Sequence, residues 1–457
     1  AREPNYYNGV QKERVFENAF LEYGCMKSMT APLNRKMYFL TDPIEDRAKD
    51  WLDYKINYQA TFAAQLMYPM VDTYEVMPWP DRIYQGLYRI AGTDQKERIP
   101  RSYSTQMQTM VNTLNDIRTS DKKITGTHGI GVLMANSLMF QRFPNHNGYD
   151  DPQFSSFYGQ TLPLLKRGIP VELVHMENTP FKETFKGLHI LVMSYSNMKP
   201  MEPEYHNYLA DWVKKGGVLI YCGEDVDPYQ TVLEWWNTEG NEYKAPSEHL
   251  FEQMNLSRNP SEGTYHYGKG TVIVMREDPK HFVLKAGNDQ KYFEAIASAY
   301  RKKLGKAIET KNNFIVERGP YTIAAVMDES VSEEPLTLSG LYIDLFDKDL
   351  PVLTSKQIQP GEQGYLYDLN KVSGKVKAKV LCGASRIYDE KVGKRSYSFV
   401  AKSPINTTNV SRVLLPCKPE KVQVNGKEEQ PEWDESSKTL LLSFENDPAG
   451  VNVSIVW

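Results

Sequence analysis

The sequence predicts a multidomain chain in which two α/β regions precede an all-β region. Helical and strand patterns alternate over residues 1–118, and they alternate again, with almost entirely apolar strands, over residues 119–305. After residue 305 the helical period disappears, and short strand-like segments separated by turn signals continue over residues 306–457. A chain of 457 residues is also too long for one ordinary core, so about two to four domains are expected.

The first region reads as alternating helices and strands. Both predicted strands run into loops that are rich in carboxylate and aromatic side chains. In parallel α/β barrels, reactive groups lie where strands end and loops begin. The patterns predict helices over residues 10–29, 50–69 and 101–117, the last with Ser102 or Ser104 as N-cap, and strands over residues 36–42 and 71–77.

The middle region predicts a parallel sheet covered on both faces by helices, because near-continuous apolar strands alternate with helical segments. A helix over residues 289–305 follows the last of these strands and stops at Gly305. The arrangement is typical of flavodoxin-like and amidotransferase-like domains. The predicted strands cover residues 130–137, 169–176, 189–196, 217–223 and 268–275.

The last region predicts an antiparallel β-sandwich, or two small sandwiches in series. Its segments are short and alternate between apolar and polar residues. Asn425-Gly426 is the dipeptide most typical of a two-residue hairpin turn.

Composition excludes several function classes. The formal net charge is −4, with both signs interspersed, so no nucleic-acid partner is indicated. No apolar run is long enough to span a membrane. The four cysteines have no metal-site spacing, no H-E-x-x-H pattern occurs, and the glycines of "GTHGIGVLM" precede a strand instead of following it. We therefore expect no metal and no organic cofactor.

Three carboxylates are the catalytic candidates. Asp42 and Glu45 come just after the first predicted strand, and Glu75 lies at the end of the second. Glycoside hydrolysis needs two carboxyl groups, one to protonate the leaving oxygen and one to act as nucleophile or base. The same residues also suit a bland interpretation, in which Asp42 caps a turn before Pro43 and Asp81–Arg82 is a surface pair.

Three side chains beside these carboxylates are the substrate-binding candidates. Trp79 can stack on the apolar face of a sugar ring, Arg82 can orient a carboxylate or hydroxyl, and Tyr74 precedes Glu75. Pro78 and Pro80 favour an extended backbone around Trp79. The sequence has 29 tyrosines, most of which β-sheet faces would account for.

A cysteine nucleophile is a further alternative, since amidotransferases use one in this type of domain. Their G-x-C-x-G elbow is absent, because Ile220 and Glu224 occupy the flanking positions of Cys222. A buried strand cysteine is the preferred interpretation.

Three segments then resemble a known family. "ILVMSYSNMKPMEPEYHNYLADWVKKGGVLIYCG", "APSEHLFEQMNL" and "YGKGTVIVM" are similar to segments of bacterial glycoside hydrolases with the layout of the family 42 β-galactosidases, and the tail segment "RGPYTIAAVMDES" resembles those of large secreted polysaccharide-degrading enzymes. The resemblance implies the C-terminal part of a (β/α)₈ barrel over residues 1–118, an amidotransferase-like α/β domain without its cysteine over residues 119–305, and a β-sandwich over residues 306–457.

The resemblance also implies an incomplete barrel, because a barrel of this kind needs roughly 250 residues. Asp42 or Glu45 would then follow strand seven, the nucleophile's position, and Glu75 would lie on strand eight. The acid/base would lie outside this chain. Such a remnant would expose sheet edges and the apolar faces of helices 10–29 and 50–69. We expect the N-terminal barrel portion of the same enzyme as a partner.

The function expected is that of a bacterial glycoside hydrolase that degrades oligosaccharides or polysaccharides in the periplasm or outside the cell. The resemblance further implies a homo-oligomer, a trimer or a dimer. The alternative is a non-catalytic carbohydrate-binding or assembly module, with the barrel end serving only as scaffold.

Overall fold

The computed structural model describes part of the chain, and the side chains of residues 139 and 140 lie outside that part. It covers residue 2 and residues 4–44, 49–76, 80–140, 150–372, 374 and 377–457. Within these ranges the fold is mixed, with one sheet that is mostly parallel and several antiparallel sheets.

The α-helices of the described ranges are, in chain order, α1 (Val15–Thr30), α2 (Trp51–Leu66), α3 (Pro80–Gln85), α4 (Arg101–Thr113), α5 (Ser137–Phe140), α6 (Ser155–Leu165), α7 (Tyr205–Lys214), α8 (Pro246–Gln253), α9 (His281–Leu284) and α10 (Gln290–Leu304). None of them is long and apolar enough to cross a membrane.

The strands of the same ranges are β1 (Asn5–Tyr7), β2 (Val10–Lys12), β3 (Phe39–Thr41), β4 (Tyr74–Val76), β5 (Tyr88–Arg89), β6 (Lys96–Glu97), β7 (Ile130–Met134), β8 (Glu172–His175), β9 (Ile190–Met193), β10 (Val218–Cys222), β11 (Gly263–Tyr267), β12 (Gly270–Met275), β13 (Asn313–Arg318), β14 (Tyr321–Val326), β15 (Leu336–Asp344), β16 (Val352–Ile358), β17 (Gln363–Asp368), β18 (Lys379–Gly383), β19 (Arg386–Val392), β20 (Ser396–Lys402), β21 (Thr408–Leu414), β22 (Lys421–Val424), β23 (Lys427–Glu429), β24 (Glu432–Asp434), β25 (Thr439–Glu445) and β26 (Val451–Val456).

The chain divides into two compact units, each built from separate segments of sequence. The first unit combines Ala1–Met37, Thr125–Phe314 and Met327–Glu334. The second unit combines Tyr38–Ile124, Ile315–Val326 and Pro335–Trp457.

The core of the first unit is a six-stranded sheet in the order β11-β12-β10-β9-β7-β8. All neighbouring pairs are parallel except β11 with β12. The five parallel strands follow the doubly wound order 2-1-3-4-5, in which the first strand lies between the second and the third. A sheet of this kind was predicted for the middle region, and its strands β7, β9 and β10 are buried throughout.

The start of the chain differs from the prediction of a helix over residues 10–29. β1 and β2 form a hairpin in which Tyr7 pairs with Val10, and Asn8 and Gly9 turn at φ 51° and 76°. Asn-Gly readily adopts positive φ at both positions of a hairpin turn, so this dipeptide overrides the helical period. Helix α1 begins only at Val15.

Helix α1 belongs to the first unit, although its sequence lies in the segment 1–118 expected to form the barrel end. The Lys27 ammonium lies 2.9 Å from the Glu172 carboxylate on the edge strand β8, and the Ser28 hydroxyl accepts the His175 N–H at 2.9 Å. Phe16 and Phe20 are buried and pack on Phe314. The expectation of an exposed apolar face on this helix is therefore wrong.

The second unit begins with β3 and β4, which pair in parallel with Leu40 opposite Glu75. Helix α2 connects them, and the Asp50 carboxylate caps it by accepting the Asp53 N–H at 2.9 Å. Both strands are three residues long and pair with each other over that whole length, so they are shorter than predicted.

Helix α2 is covered, against the expectation of an open apolar face over residues 50–69. Tyr58, Phe62 and Leu66 are fully buried. The Phe62 ring packs 5.4 Å from Tyr365 of β17, in the five-stranded sheet β13-β14-β17-β15-β16. Only the start of the helix leaves apolar side chains exposed, at Leu52 and Ile56.

The end of the chain forms two facing antiparallel sheets, as predicted for a sandwich. Their orders are β18-β21-β25-β24 and β19-β20-β26-β22-β23, and both sheets contribute to one apolar core. The predicted hairpin at Asn425-Gly426 is confirmed, since Val424 pairs with Lys427 across a turn with φ 48° and 79°.

Candidate functional site

Two of the three predicted catalytic residues lie in or beside the strand pair β3–β4: Asp42 follows β3 directly, and Glu75 is the middle residue of β4. Side chains alternate along β3: Phe39 and Thr41 are buried, whereas Leu40 between them is 44% exposed. Glu75 pairs with Leu40 across the parallel ladder and is exposed as well. Because paired residues of neighbouring strands share a face, Leu40 and Glu75 define an open face of this two-stranded sheet.

Asp42 lies two residues beyond Leu40, in a turn that leaves β3. Its Oδ1 accepts the Ile44 N–H at 2.9 Å, which is an Asx turn. The carbonyl of Pro43 accepts the Tyr103 hydroxyl at 3.0 Å, and Tyr103 is on helix α4. The turn that presents Asp42 is therefore fixed on both sides. The bland interpretation, in which Asp42 caps a turn before Pro43, accounts for one of its two carboxylate oxygens, Oδ1.

Three tyrosines lie within electrostatic range of Asp42. Burial raises the pKa of the Tyr58 and Tyr103 hydroxyls, and the negative charge of Asp42 raises both further. The pKa of Tyr88 is also raised, mainly by burial and in small part by Asp42. These hydroxyls stay protonated at neutral pH, so they add no negative charge near the Asp42 carboxylate.

Arg82 lies close to the same group. Its backbone carbonyl accepts the Tyr88 hydroxyl at 2.6 Å, and its guanidinium lowers the pKa of Tyr88 while Asp42 raises it. The structure thus brings Asp42 and Arg82 to one tyrosine. Arg82 is half-buried on the short helix α3.

Tyr74 has a different environment from the one expected of a substrate-binding residue. Its hydroxyl donates to the Val71 carbonyl at 2.7 Å and accepts from the Arg318 guanidinium at 2.5 Å. Burial is the main reason that its pKa is raised to about 12. The Tyr74 hydroxyl is thus engaged inside the second unit.

Glu45 and Trp79, the remaining predicted site residues, lie outside the described residues. Sequence reasoning missed Tyr58, Tyr103 and Arg318. Tyr58 and Tyr103 lie in helices that the sequence predicts over residues 50–69 and 101–117, and a helical period carries no signal for where a hydroxyl points. Arg318 is separated from Tyr74 by 244 positions, so no local pattern could connect them.

The cysteine alternative has no support in the first unit. Cys222 is fully buried, its neighbour is the Met275 sulfur, and burial raises its pKa. A reactive thiol needs the opposite shift. Asp225, three residues further on, has φ 61°, and its carboxylate accepts from Ser247 at 2.8 Å and from Arg276 at 2.8 Å. Within the described part of the chain, no three His, Cys, Asp or Glu side chains are placed to hold a metal ion.

Comparison with known proteins gives similarities of structure alone. No protein-family model and no curated protein sequence matches the chain. The chain is similar to the β-galactosidase from Bacillus circulans sp. alkalophilus, at 11% identity and a TM-score of 0.42, over 77% of this chain and 58% of that one. A GH42 β-galactosidase from G. stearothermophilus matches at 11% identity and a TM-score of 0.43, over 77% and 57% of the two chains.

A rhamnosidase from Novosphingobium sp. PP1Y matches at 11% identity and a TM-score of 0.33, over 88% of this chain and 41% of that one. The chain therefore spans less than three fifths of the length of these solved structures. The layout resembles that of GH42 β-galactosidases. Similarity at this level describes the layout and says nothing of the chemistry of this chain.

Proposed function

We propose that the chain is part of a glycoside hydrolase whose substrate cleft lies at the carboxyl ends of β3 and β4. The observation that carries the proposal is the position of two carboxylates, Asp42 and Glu75, at one end of a parallel strand pair. Reactive groups in parallel α/β barrels lie at this end of the strands.

The backbone geometry supports a position of the two carboxylates beside each other. Glu75 pairs with Leu40 on the open face, and the Asx turn that contains Asp42 follows β3 directly, so both carboxylates belong to the same strand pair. A strand spacing of about 4.8 Å and a rise of about 3.3 Å per residue separate their Cα atoms by about 8 Å. Side chains at that separation can reach opposite sides of one glycosidic bond.

The exposed Leu40 supports the further proposal of an incomplete barrel. In a closed barrel, inward-facing residues of each strand fill the interior, and outward-facing residues pack on the helices. Phe39 and Thr41 are buried on one face of β3, whereas Leu40 is open on the other. We expect upstream strands of the same enzyme to cover this open face and to supply the acid/base.

The roles follow from strand position. Asp42 or Glu45, both of which follow the first strand of the pair, serves as the nucleophile. Glu75, on the second strand, stabilises the positive charge that develops on the sugar ring. Arg82 and Trp79 orient the sugar, the former by hydrogen bonds and the latter by stacking. The transition state resembles an oxocarbenium ion, which a nearby carboxylate stabilises electrostatically.

Mutational kinetics on the enzyme that contains this chain test the proposal. Asp42→Asn, Glu45→Gln and Glu75→Gln are assayed on a panel of aryl glycosides, with Glu429→Gln as matched control, because Glu429 is exposed on the sandwich strand β23. We expect the nucleophile variant to lose at least about 100-fold in kcat. Full turnover in all three site variants would remove these carboxylates from the chemistry.

A further inference from the structure

A groove of about 410 Å³ opens in the second unit, away from the strand pair β3–β4. Its volume lies in the range of about 300–1,000 Å³ that is usual for small-molecule sites. One wall is the end of helix α4 with the turn that follows it, and the opposite side is formed by strands β18 and β19.

Each of the two strands is the outer strand of its own sandwich sheet. β18 pairs with β21 on one side only, and the register shifts between Val380 and Cys382. β19 pairs with β20, the register shifts between Tyr388 and Lys391, and Asp389 has φ 52°. Such bulges bend a strand and redirect its side chains, often beside functional sites.

The acidic and amide groups of the groove lining are held in place by the surrounding fold. Asn112 donates from its side chain to the Gly383 carbonyl at 3.0 Å. The Tyr321 hydroxyl donates to Asp116 Oδ2 at 3.2 Å, and the Tyr397 hydroxyl donates to the Glu390 carboxylate. The groove is therefore pre-organised on these sides, which lowers the entropy lost when a ligand binds.

Three polar groups of the lining have no partner. Among the described residues, none makes a hydrogen bond or ion pair with the Lys379 ammonium, the Arg386 guanidinium or the Tyr388 hydroxyl. The Tyr388 ring is 44% exposed, and the Lys402 ammonium lies 5.4 Å from its centroid. An exposed aromatic ring between free donors is a suitable surface for a ligand that has both an apolar face and hydroxyl groups.

We propose that this groove binds a segment of a neutral oligosaccharide. The two cations, Lys379 and Arg386, are balanced by the two carboxylates, Asp116 and Glu390, so the lining does not favour a polyanion. Sugar hydroxyls both donate and accept, which suits a lining of carboxylates, amides and cations. The sugar ring packs on Tyr388.

A peptide added to the free edge of β19 is the competing ligand class. The bulge at Asp389 and the charges of Glu390 and Lys391 disfavour it, because these are devices by which an edge strand avoids further pairing. The groove proposal is independent of hydrolysis, since none of its residues belongs to the strand pair that carries Asp42 and Glu75.

A glycan array probed with the whole 457-residue protein, followed by calorimetry on the best binder, tests the inference. Neutral oligosaccharides should bind, and polygalacturonate should not. Tyr388→Ala should weaken binding about tenfold or more, which corresponds to about 1.4 kcal/mol, and Tyr388→Phe should retain most of it. Val392→Ala is the matched control, because Val392 is exposed on the same strand outside the groove.

Three results would overturn the inference: no binding across the array, salt-sensitive binding of polygalacturonate alone, or binding that Tyr388→Ala leaves intact. Glu75→Gln separates the two sites. Binding that is lost in Glu75→Gln and kept in Tyr388→Ala places the sugar at the strand pair and refutes the groove. Hydrolysis that fails while groove binding persists refutes the proposed activity alone.

Discussion

At the scale of single residues, Arg318 makes hydrogen bonds to segments of the second unit that lie far from it in sequence, and no sequence pattern predicts them. This arginine is 2% exposed, and its guanidinium donates to the carbonyls of Val71 at 2.6 Å and Arg118 at 3.1 Å and to the Tyr74 hydroxyl at 2.5 Å. It thereby holds the loop before β4 and the segment after α4 together. The orientation of Glu75 depends on that loop, because Tyr74 directly precedes Glu75.

Arg318→Ala should therefore destabilise the second unit. The substitution removes the hydrogen bonds that the buried guanidinium donates to Val71, Tyr74 and Arg118, and each lost hydrogen bond to a charged group costs about 1.5–3 kcal/mol. We expect a loss of at least about 3 kcal/mol in the free energy of unfolding, measured by denaturant titration. Arg318→Lys should recover only part of it, because an ammonium lacks the planar fork. Wild-type stability in Arg318→Ala would show that these contacts contribute little.

Glu17 gives the first unit a predictable pH dependence. Burial raises its pKa from the ordinary value of 4.5 to about 7, although its carboxylate accepts the Asp328 N–H at 2.8 Å. The folded protein therefore holds this proton more tightly than the unfolded chain does. Its stabilising contribution is complete below pH 4.5 and is lost as pH rises towards 7.

Glu17→Gln removes this titration while keeping an acceptor for Asp328. Because one pKa unit corresponds to about 1.4 kcal/mol, the variant should gain about 3 kcal/mol over wild type between pH 4.5 and pH 8. Denaturant titrations of both proteins across this range measure the difference. The difference between the two proteins removes the pH dependence that comes from other titrating groups. One of these is His175, whose pKa burial lowers to about 4. A difference that does not change with pH would contradict the buried carboxylate.

At the scale of elements, the sequence predicts whether a segment is a helix or a strand better than it predicts which elements pair or pack with it. The helical period correctly located α2 and α10, and Gly305 closes the latter with φ 68° as expected. The strands predicted over residues 36–42 and 71–77 are longer than β3 and β4, because the sequence pattern continues beyond the three residue pairs that form the ladder. Ser104 is inside α4, where its hydroxyl donates to the Arg101 carbonyl, and the N-cap is Pro100.

The Asn8-Gly9 turn was missed although its dipeptide is as strong a hairpin signal as Asn425-Gly426. The helical period beginning at Val10 concealed it. Gly9 has φ 76°, and an added Cβ would lie 3.3 Å from the Leu284 carbonyl oxygen. Gly9→Ala should cost about 1–2 kcal/mol from the left-handed backbone alone. Thermal unfolding against Gly374→Ala, where φ is not positive and the added Cβ meets no atom, checks this. Equal melting temperatures would exclude strain at Gly9.

At the scale of the whole molecule, the two compact units interleave segments that are far apart in sequence. Residues 1–37 join the parallel sheet, and residues 38–124 join the β-rich unit. Sequence periodicity could not predict this grouping, since it depends on long-range contacts. The candidate site was predictable in part: strand ends identified Asp42 and Glu75, whereas the tyrosines around Asp42 depend on how α2 and α4 pack.

The measurement that tests the central claim most directly is a crystal structure of the enzyme that contains this chain with a bound iminosugar, chosen as the strongest inhibitor of its hydrolysis. The account predicts the sugar at the carboxyl ends of β3 and β4, with a ring atom or hydroxyl within about 3 Å of the Asp42, Glu45 or Glu75 carboxylate. An inhibitor located elsewhere, with these three carboxylates facing only solvent, would contradict it.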